Sequence, residues 1–448
     1  MKLTFCGGAE VVTGANYLLE SGGTKILIDC GLEQGGSFVE GKSFEPFPYN
    51  PAEIEAVFLT HAHVDHTGLL PKLYKDGFRG KVFSTDPTRE FAELLLLDSE
   101  HILNGEAERR GRAPIYTNED IEGIMKLWEG VQYHKPLSVG PFTVELFDAG
   151  HILGSAFIRI EAEGKKIVFS GDLGNYPAPI IKPTEFIDDA DYCLIESTYG
   201  GRVHEPSDER RLSLERAIED TVQSGGVLLI PAFAMERTQE LIYQLNDLVE
   251  KGRVPRIPIY IDSPLAIKLT MVYKKYSKYF NQEAQEQIRS GDDILNFTGL
   301  HFTLTTEESK EINFVPSPKI IIAGSGMSHG GRILHHEIRY LPDPKSMVLM
   351  IGYQARGSMG RRVLEGAKSV TIFNDEVPVN CQVRMVSAYS AHADQPRLLA
   401  WLHPMKASLK KVFVVQGEED QSQALQEKIK NDLGLEAVIP KMGDSVEL

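Results

Sequence analysis

Through the first two hundred residues, apolar positions come in short alternating or wholly apolar runs separated by glycine-rich turns. Such runs predict β-strands at 3–6, 16–19, 25–29, 56–60, 143–147, 157–162, 166–170 and 192–196, with helical periodicity only at 87–103 and 118–130. From about residue 206 the rhythm becomes a regular alternation: helix 207–224, strand 227–230, helix 236–250, strand 257–261, then a helix opened by Ser263-Pro264 that runs to 280. Strands at 319–323, 347–351 and 370–373 continue the series, the pattern of a parallel, doubly wound sheet. After residue 374 the earlier style returns, with strands 382–386 and 412–415 and helices 394–402 and 421–433. The expectation is a discontinuous first domain, 1–205 and 376–448, interrupted by an α/β insertion at 206–375. Segment 291–316 has weak periodicity and is expected to be mobile.

Composition narrows the class. Apolar residues make up 42% and charged residues 25% of the 448, values that fit a globular chain and not a disordered or coiled-coil one. No apolar run approaches the roughly 18 residues of a membrane span, and the first residues, MKLTFCGGAE, carry no secretory pattern, so a cytoplasmic protein without membrane contact is expected. Cys6, Cys30, Cys193 and Cys381 lie far apart in apolar segments with no C-x-x-C pair, which reads as reduced core thiols. The 47 basic and 63 acidic residues leave a net charge of −16. That excess argues against a general coat for polyanions but leaves room for a cleft whose positive charge comes from metal ions.

The chemistry concentrates after strand 56–60, in Thr60-His61-Ala62-His63-Val64-Asp65-His66-Thr67-Gly68. His61 and His63, two apart on a turn leaving a strand, can direct both imidazoles at one ion, while Asp65 and His66 reach toward a second. A lone histidine pair would be weak; H-x-H-x-D-H is specific. His151 in DAGHILGS and Asp172 in FSGDLGN each follow a strand beside glycines that permit close backbone approach. Taken alone, either would more often be a structural residue, and the preceding motif reverses that reading.

These motifs resemble the metallo-β-lactamase superfold. Glu196 in IESTYGGRVH, the runs PAFAMERTQELIYQL, IDSPLA, SGMSHGGR and GYQARGSMGRR, and SAYSAHAD are similar to its β-CASP branch across essentially the whole chain. The resemblance implies an αββα sandwich carrying an inserted parallel α/β domain. It implies a first zinc on His61, His63 and His151, a second on Asp65 and His66, and Asp172 bridging them. It further implies Glu196 and His392 as the acids and bases of the branch's own motifs, with Asp65 also in the catalytic set. One position departs: where the branch has a histidine, this chain reads Val415-Gln416-Gly417-Glu418. An amide oxygen is a poor substitute for imidazole at zinc, so Gln416 is expected to be at best a weak ligand of a weakened second site, with Mn²⁺ an alternative ion.

The implied activity is hydrolysis of RNA by a metal-activated hydroxide, with His392 protonating the leaving 3′-oxygen and Glu196 holding its imidazolium. Ser390 and the arginines Arg356, Arg361 and Arg362, the last three in a glycine-rich turn before a helix, are candidate phosphate contacts. His329, His335 and His336 are expected to be local polar or helix-surface residues, and Leu94–Leu97 and the Tyr273, Tyr276, Tyr279 series to be packing faces. Competing readings are a DNA-acting member of the branch, a catalytically silent RNA-binding scaffold suggested by Gln416, and an ester or thioester hydrolase. Self-association is compatible with the patterned C-terminal segment.

Overall fold

The computed structural model describes residues 1–33, 42–205, 207–352, 354, 357–386 and 390–448, without the side chains of 42 and 207–209. The chain divides into two compact units, Met1–Val203 with Ala391–Leu448, and His204–Ser390.

In the first unit, strand Lys2–Gly7 alternates buried and half-buried positions along its length, as a strand with one face on a core must. Among the described residues it belongs to a seven-stranded sheet in the order Ser445–Glu447, Lys2–Gly7, Asn16–Ser21, Thr24–Ile28, Ala56–Phe58, Lys81–Thr85, Trp128–Val131. The second seven-stranded sheet runs Ala437–Val438, Lys411–Val415, Tyr192–Glu196, Lys165–Phe169, Ala156–Ala162, Phe142–Asp148, Leu137–Val139. Residues of both sheets, among them Phe5, Tyr17, Ile28, Phe58, Phe169 and Val415, share one buried cluster, so the sheets pack face to face. The alternate residues of the second sheet, Val168, Cys193, Ile195 and Val414, instead bury Trp401, Leu402, Leu425 and Ile429 of the C-terminal helices. This is the helix-covered sandwich expected from the sequence.

Three adjacent strands of the second sheet, Lys165–Phe169, Tyr192–Glu196 and Lys411–Val415, run parallel. So do Thr24–Ile28 and Ala56–Phe58 in the first. Their carboxyl ends deliver the polar loops described below, the usual place for a site in α/β sheets.

The second unit holds a six-stranded sheet in the order Leu300–Phe302, Ile259–Ile261, Lys319–Ala323, Val227–Pro231, Met347–Ile351, Gln382–Val386. Every pairing is parallel, and its central strands are buried at every position, as parallel strands covered on both faces require.

Several expectations change. The return to the first unit falls at Ala391, and Gln382–Val386 stays in the inserted unit because it pairs with Met347–Ile351. Ser369–Ile372 is not in the parallel sheet; it forms an antiparallel hairpin with Asp375–Pro378. Segment 291–316 contains the edge strand Leu300–Phe302 and a helix, Thr306–Glu311, opened by a reciprocal Thr305/Glu308 capping box. Of the four leucines at 94–97 only Leu96 is buried, and Leu97 is exposed, whereas Tyr273 and Tyr276 are buried. All four cysteines are free, Cys30 and Cys193 buried and Cys6 and Cys381 half-buried. No helix among the described residues is long and apolar enough to cross a membrane.

Candidate metal centre

Strand Ala56–Phe58 ends and the chain turns through Thr60-His61 into a short helix, Val64–Thr67. Thr67 Oγ1 donates to the Ala62 and His63 carbonyls at 3.1 and 3.0 Å, closing the turn that aims His61 and His63 inward. The loops bearing His151 and Asp172 meet it. They approach so closely that a Cβ on Gly174 would run into the Gly150 carbonyl oxygen.

His61 Nε2 lies 3.0 Å from His63 Nδ1, which lies 3.3 Å from His151 Nε2. Asp172 Oδ2 is 3.4 Å from His61 Nε2 and 3.5 Å from His151 Nε2. All four ligand atoms fall within 4.8 Å of one another. A tetrahedral ion with bonds of about 2.0–2.1 Å has ligand–ligand edges of about 3.3 Å, so this donor set has the dimensions of a zinc shell. Its protonation also fits. Burial, then the neighbouring His66, holds the His61 imidazole well below its ordinary pKa, leaving a neutral ring to coordinate. Burial would raise the Asp172 carboxyl, but its histidine neighbours, His66 first, outweigh it and hold it well below the ordinary carboxylate range.

The second set differs. His66 Nε2 is 3.3 Å from Asp172 Oδ1, and Asp65, whose carboxyl burial raises, feels His66 and Asp172. Gln416, at the end of strand Lys411–Val415, places its Nε2 2.9 Å from Asp172 Oδ1 and 3.1 Å from His66 Nε2. Neither group of metal-competent side chains among the described residues contains Asp65 or His66.

Beside the first set, Asp172, Glu196 and His392 form the other such group. Glu196 ends its strand fully buried, its Oε1 accepting from the Leu173 amide at 2.6 Å. His392 is brought in by short β-pairing: Ala393 donates to the Leu173 carbonyl and Asn175 to that of Ala391, flanking a bridge between Gly174 and His392. Its Nδ1 is 3.3 Å from Glu196 Oε2 and 3.8 Å from Asp172 Oδ2. Burial lowers its pKa, but Glu196 and Asp172 prevail and raise it to about 9. Glu196 itself is raised, chiefly by burial.

The remaining candidates lie in the other unit or beyond description. Ser390 ends the inserted unit. Arg361 and Arg362 belong to helix Met359–Leu364, with Arg361 Nε donating to Glu365 at 2.6 Å. Arg356 lies outside the described residues. His335 is exposed as expected, but His336 is buried, its Nε2 2.7 Å from Asp262 Oδ2.

Sequence reasoning assigned no role to Asp29. It sits at a left-handed φ of 61° after strand Thr24–Ile28 and accepts from the Thr60 amide and hydroxyl at 2.8 Å, with Oδ2 2.7 Å from His66 Nδ1. It therefore orients the histidine loop, the usual task of a carboxylate behind a ligating histidine. An aspartate closing an apolar strand, as Asp172 does, was the available signal.

Comparison with known proteins agrees with this geometry. Residues 10–216 match the metallo-beta-lactamase superfamily, 238–363 the Beta-Casp domain, and 376–440 the Zn-dependent metallo-hydrolase RNA specificity domain. The chain is 37% identical to Ribonuclease TTHA0252 of Thermus thermophilus over the whole of both chains. It is 30% identical to an RNase J-like protein of Methanocaldococcus jannaschii, covering 98% of each. To transcription termination factor FttA of the same organism it is 29% identical, across all of this chain and 72% of the other. A crystal structure of a protein of unknown function from Enterococcus faecalis shares the fold, with a TM-score of 0.60 at 13% identity over 100% of this chain and 99% of that one. With three imidazoles and a carboxylate gathered at the carboxyl ends of a two-sheet sandwich, and full-length relatives of the same build, the chain belongs to the β-CASP branch of the metallo-β-lactamase superfamily.

Proposed function

We propose that this protein is a zinc-dependent ribonuclease acting in RNA maturation or decay in the cytoplasm. The observation that carries the proposal is the convergence of His61, His63, His151 and Asp172 at zinc-shell distances next to the Glu196–His392 pair. The relatives' names supply RNA as the polymer.

His61, His63, His151 and Asp172 would hold the ion. When bound, the ion supplies Lewis acidity and a water acidic enough to ionise near neutral pH. The residues then divide the proton work. Asp65, whose carboxyl is raised by burial, is suited to take up a proton from the attacking water. His392 is protonated at neutral pH and would give its proton to the departing 3′-oxygen, while Glu196 keeps the imidazolium in place and charged. Ser390, Arg356, Arg361 and Arg362 are proposed to contact the phosphate backbone.

The test is cleavage of matched single-stranded RNA and DNA before and after chelation. RNA cleavage should vanish on chelation, return with Zn²⁺ or Mn²⁺, and be abolished in His63→Ala and Asp172→Asn proteins whose melting temperature is little changed. Wild-type turnover in either variant would overturn the proposal. Gln416 favours one second reading, an RNA-binding scaffold, and saturable RNA binding without turnover at saturating zinc would establish it.

A further inference from the structure

A second metal beside the first would need His66 Nε2 and Asp172 Oδ1 as ligands, and those are the two atoms the Gln416 amide nitrogen addresses. The direction of that amide follows from its neighbours. Asp172 Oδ1 is a carboxylate oxygen and only accepts, so the group 2.9 Å away must be the donor, the NH₂ end. His66 Nδ1 lies 2.7 Å from Asp29 Oδ2, so Nε2 is the ring atom left for a second metal, and it lies 3.1 Å from the same amide nitrogen. The amide oxygen then points away, where the buried Tyr17 hydroxyl donates to it at 3.4 Å. Reversing the amide would set oxygen against oxygen at Asp172, and the network selects one orientation.

The backbone holds that amide in place. Gln416 has a left-handed φ of 52°, and its N–H donates to the Gly8 carbonyl at 2.8 Å. Its own carbonyl accepts from Thr198 Oγ1 at 3.2 Å. Gly8 is also at a positive φ, and a Cβ there would come within 2.7 Å of the Tyr17 hydroxyl oxygen and 3.4 Å of Gln416 Cγ. The absence of a side chain at residue 8 makes room for the Tyr17–Gln416 pair.

We propose that Gln416 is not a weak ligand but a built-in replacement for the second metal ion: its NH₂ end donates to Asp172 and fills the space before His66 Nε2, and Tyr17 turns its one ligating atom away. The protein is accordingly a one-metal member of its family, with Gln416 a positioning residue that orients the ionised Asp172 toward His61, His63 and His151. With the NH₂ end of Gln416 between them, His66 and Asp172 do not fit a second metal ion. This inference rests on the metal-centre reading but not on RNA as substrate, so its test counts metal and can succeed or fail independently of cleavage.

Stripped protein is titrated with Zn²⁺, and bound metal is counted by native mass spectrometry and by elemental analysis after gel filtration. Unaltered protein should retain one zinc per chain, and Gln416→His should retain two. Gln416→Ala separates the alternatives by sign. If the amide were a ligand, truncating it would weaken the second site; if it is a plug, truncation opens a site with Asp65, His66 and Asp172 as ligands, and second-zinc affinity should rise at least threefold. Tyr17→Phe, which frees the amide to turn, should move affinity the same way by a smaller factor. Two retained zinc ions in the unaltered protein, a second site weakened or unmoved in Gln416→Ala, or no second zinc in Gln416→His would each overturn the inference.

Discussion

Replacing Glu196 by glutamine isolates the charge in the proposed acid pair while keeping the side chain's size. Glu196 Oε2 is 3.3 Å from His392 Nδ1, and the histidine is lifted from 6.5 to about 9 despite burial. At 1.36 kcal/mol per pKa unit, that lift is roughly 3 kcal/mol of net preference for the imidazolium. Glu196 is the first of its sources, with Asp172 and Asp65 behind it. Loss of the carboxylate should therefore lower the His392 pKa by about one to two units. The protonated form is the active acid, so kcat/KM should decline on the alkaline side from a correspondingly lower pH. The variant should fall roughly two- to tenfold below wild type at pH 8 and approach it at pH 6. His392→Ala removes the acid outright and should cost roughly 10²-fold or more at every pH, about 2.7 kcal/mol. Because both changes act through one proton, the double variant should be no slower than His392→Ala alone. The assay is initial-rate cleavage of a fluorescent RNA oligonucleotide from pH 6 to 9, with metal counted on every variant. Full additivity would refute the pairing. Metal loss in His392→Ala would instead make Asp172, Glu196 and His392, whose ligand atoms already lie within 4.8 Å, a metal-binding set.

Asp29→Ala should weaken zinc affinity or turnover ten- to hundredfold, because Thr60 and His66 lose the acceptor that orients them; isothermal titration and rate measurements check this. Asp262→Ala should destabilise the inserted unit by about 3–5 kcal/mol, measured by chemical denaturation, since it strands Arg332 and His336, which now meet Asp262 at 2.7 Å. Glu337 is fully buried, and burial raises its carboxyl to about 7. Its protonated form is the one the fold prefers, so stability is full below the unfolded value of 4.5 and is lost as pH rises through about 7. Glu337→Gln should therefore raise the melting temperature at pH 8 and leave it nearly unchanged at pH 4; an equal shift at both would dismiss the explanation.

Much of the candidate site was legible because its first part is local. His61, His63, Asp65 and His66 sit on one turn, where residue spacing alone limits the directions their side chains take. Buried parallel strands such as Val227–Pro231 and Met347–Ile351 announced themselves equally well, since burial on both faces leaves an unbroken apolar run. Sheet membership was harder. Gln382–Val386 reads as a strand, yet nothing within five residues says that its partner is Met347–Ile351. His336 lies on an eight-residue helix, too short for periodicity to separate its inner from its outer face.

The sequence by itself determined the elements, the histidine motif and the substitution at Gln416. Tertiary structure alone decided what that glutamine does. Strand order sets Lys165–Phe169, Tyr192–Glu196 and Lys411–Val415 side by side and brings Asp172, Glu196 and Gln416 to one edge from positions up to 244 residues apart. A strand's hydrogen-bonding groups are the same whatever its side chains, so which strand lies beside which is settled by packing over the whole sandwich. The direction of the Gln416 amide depends on Tyr17, 399 residues away, and on Asp172; a side chain with a donor at one end and an acceptor at the other has no preferred sense until both neighbours are in place.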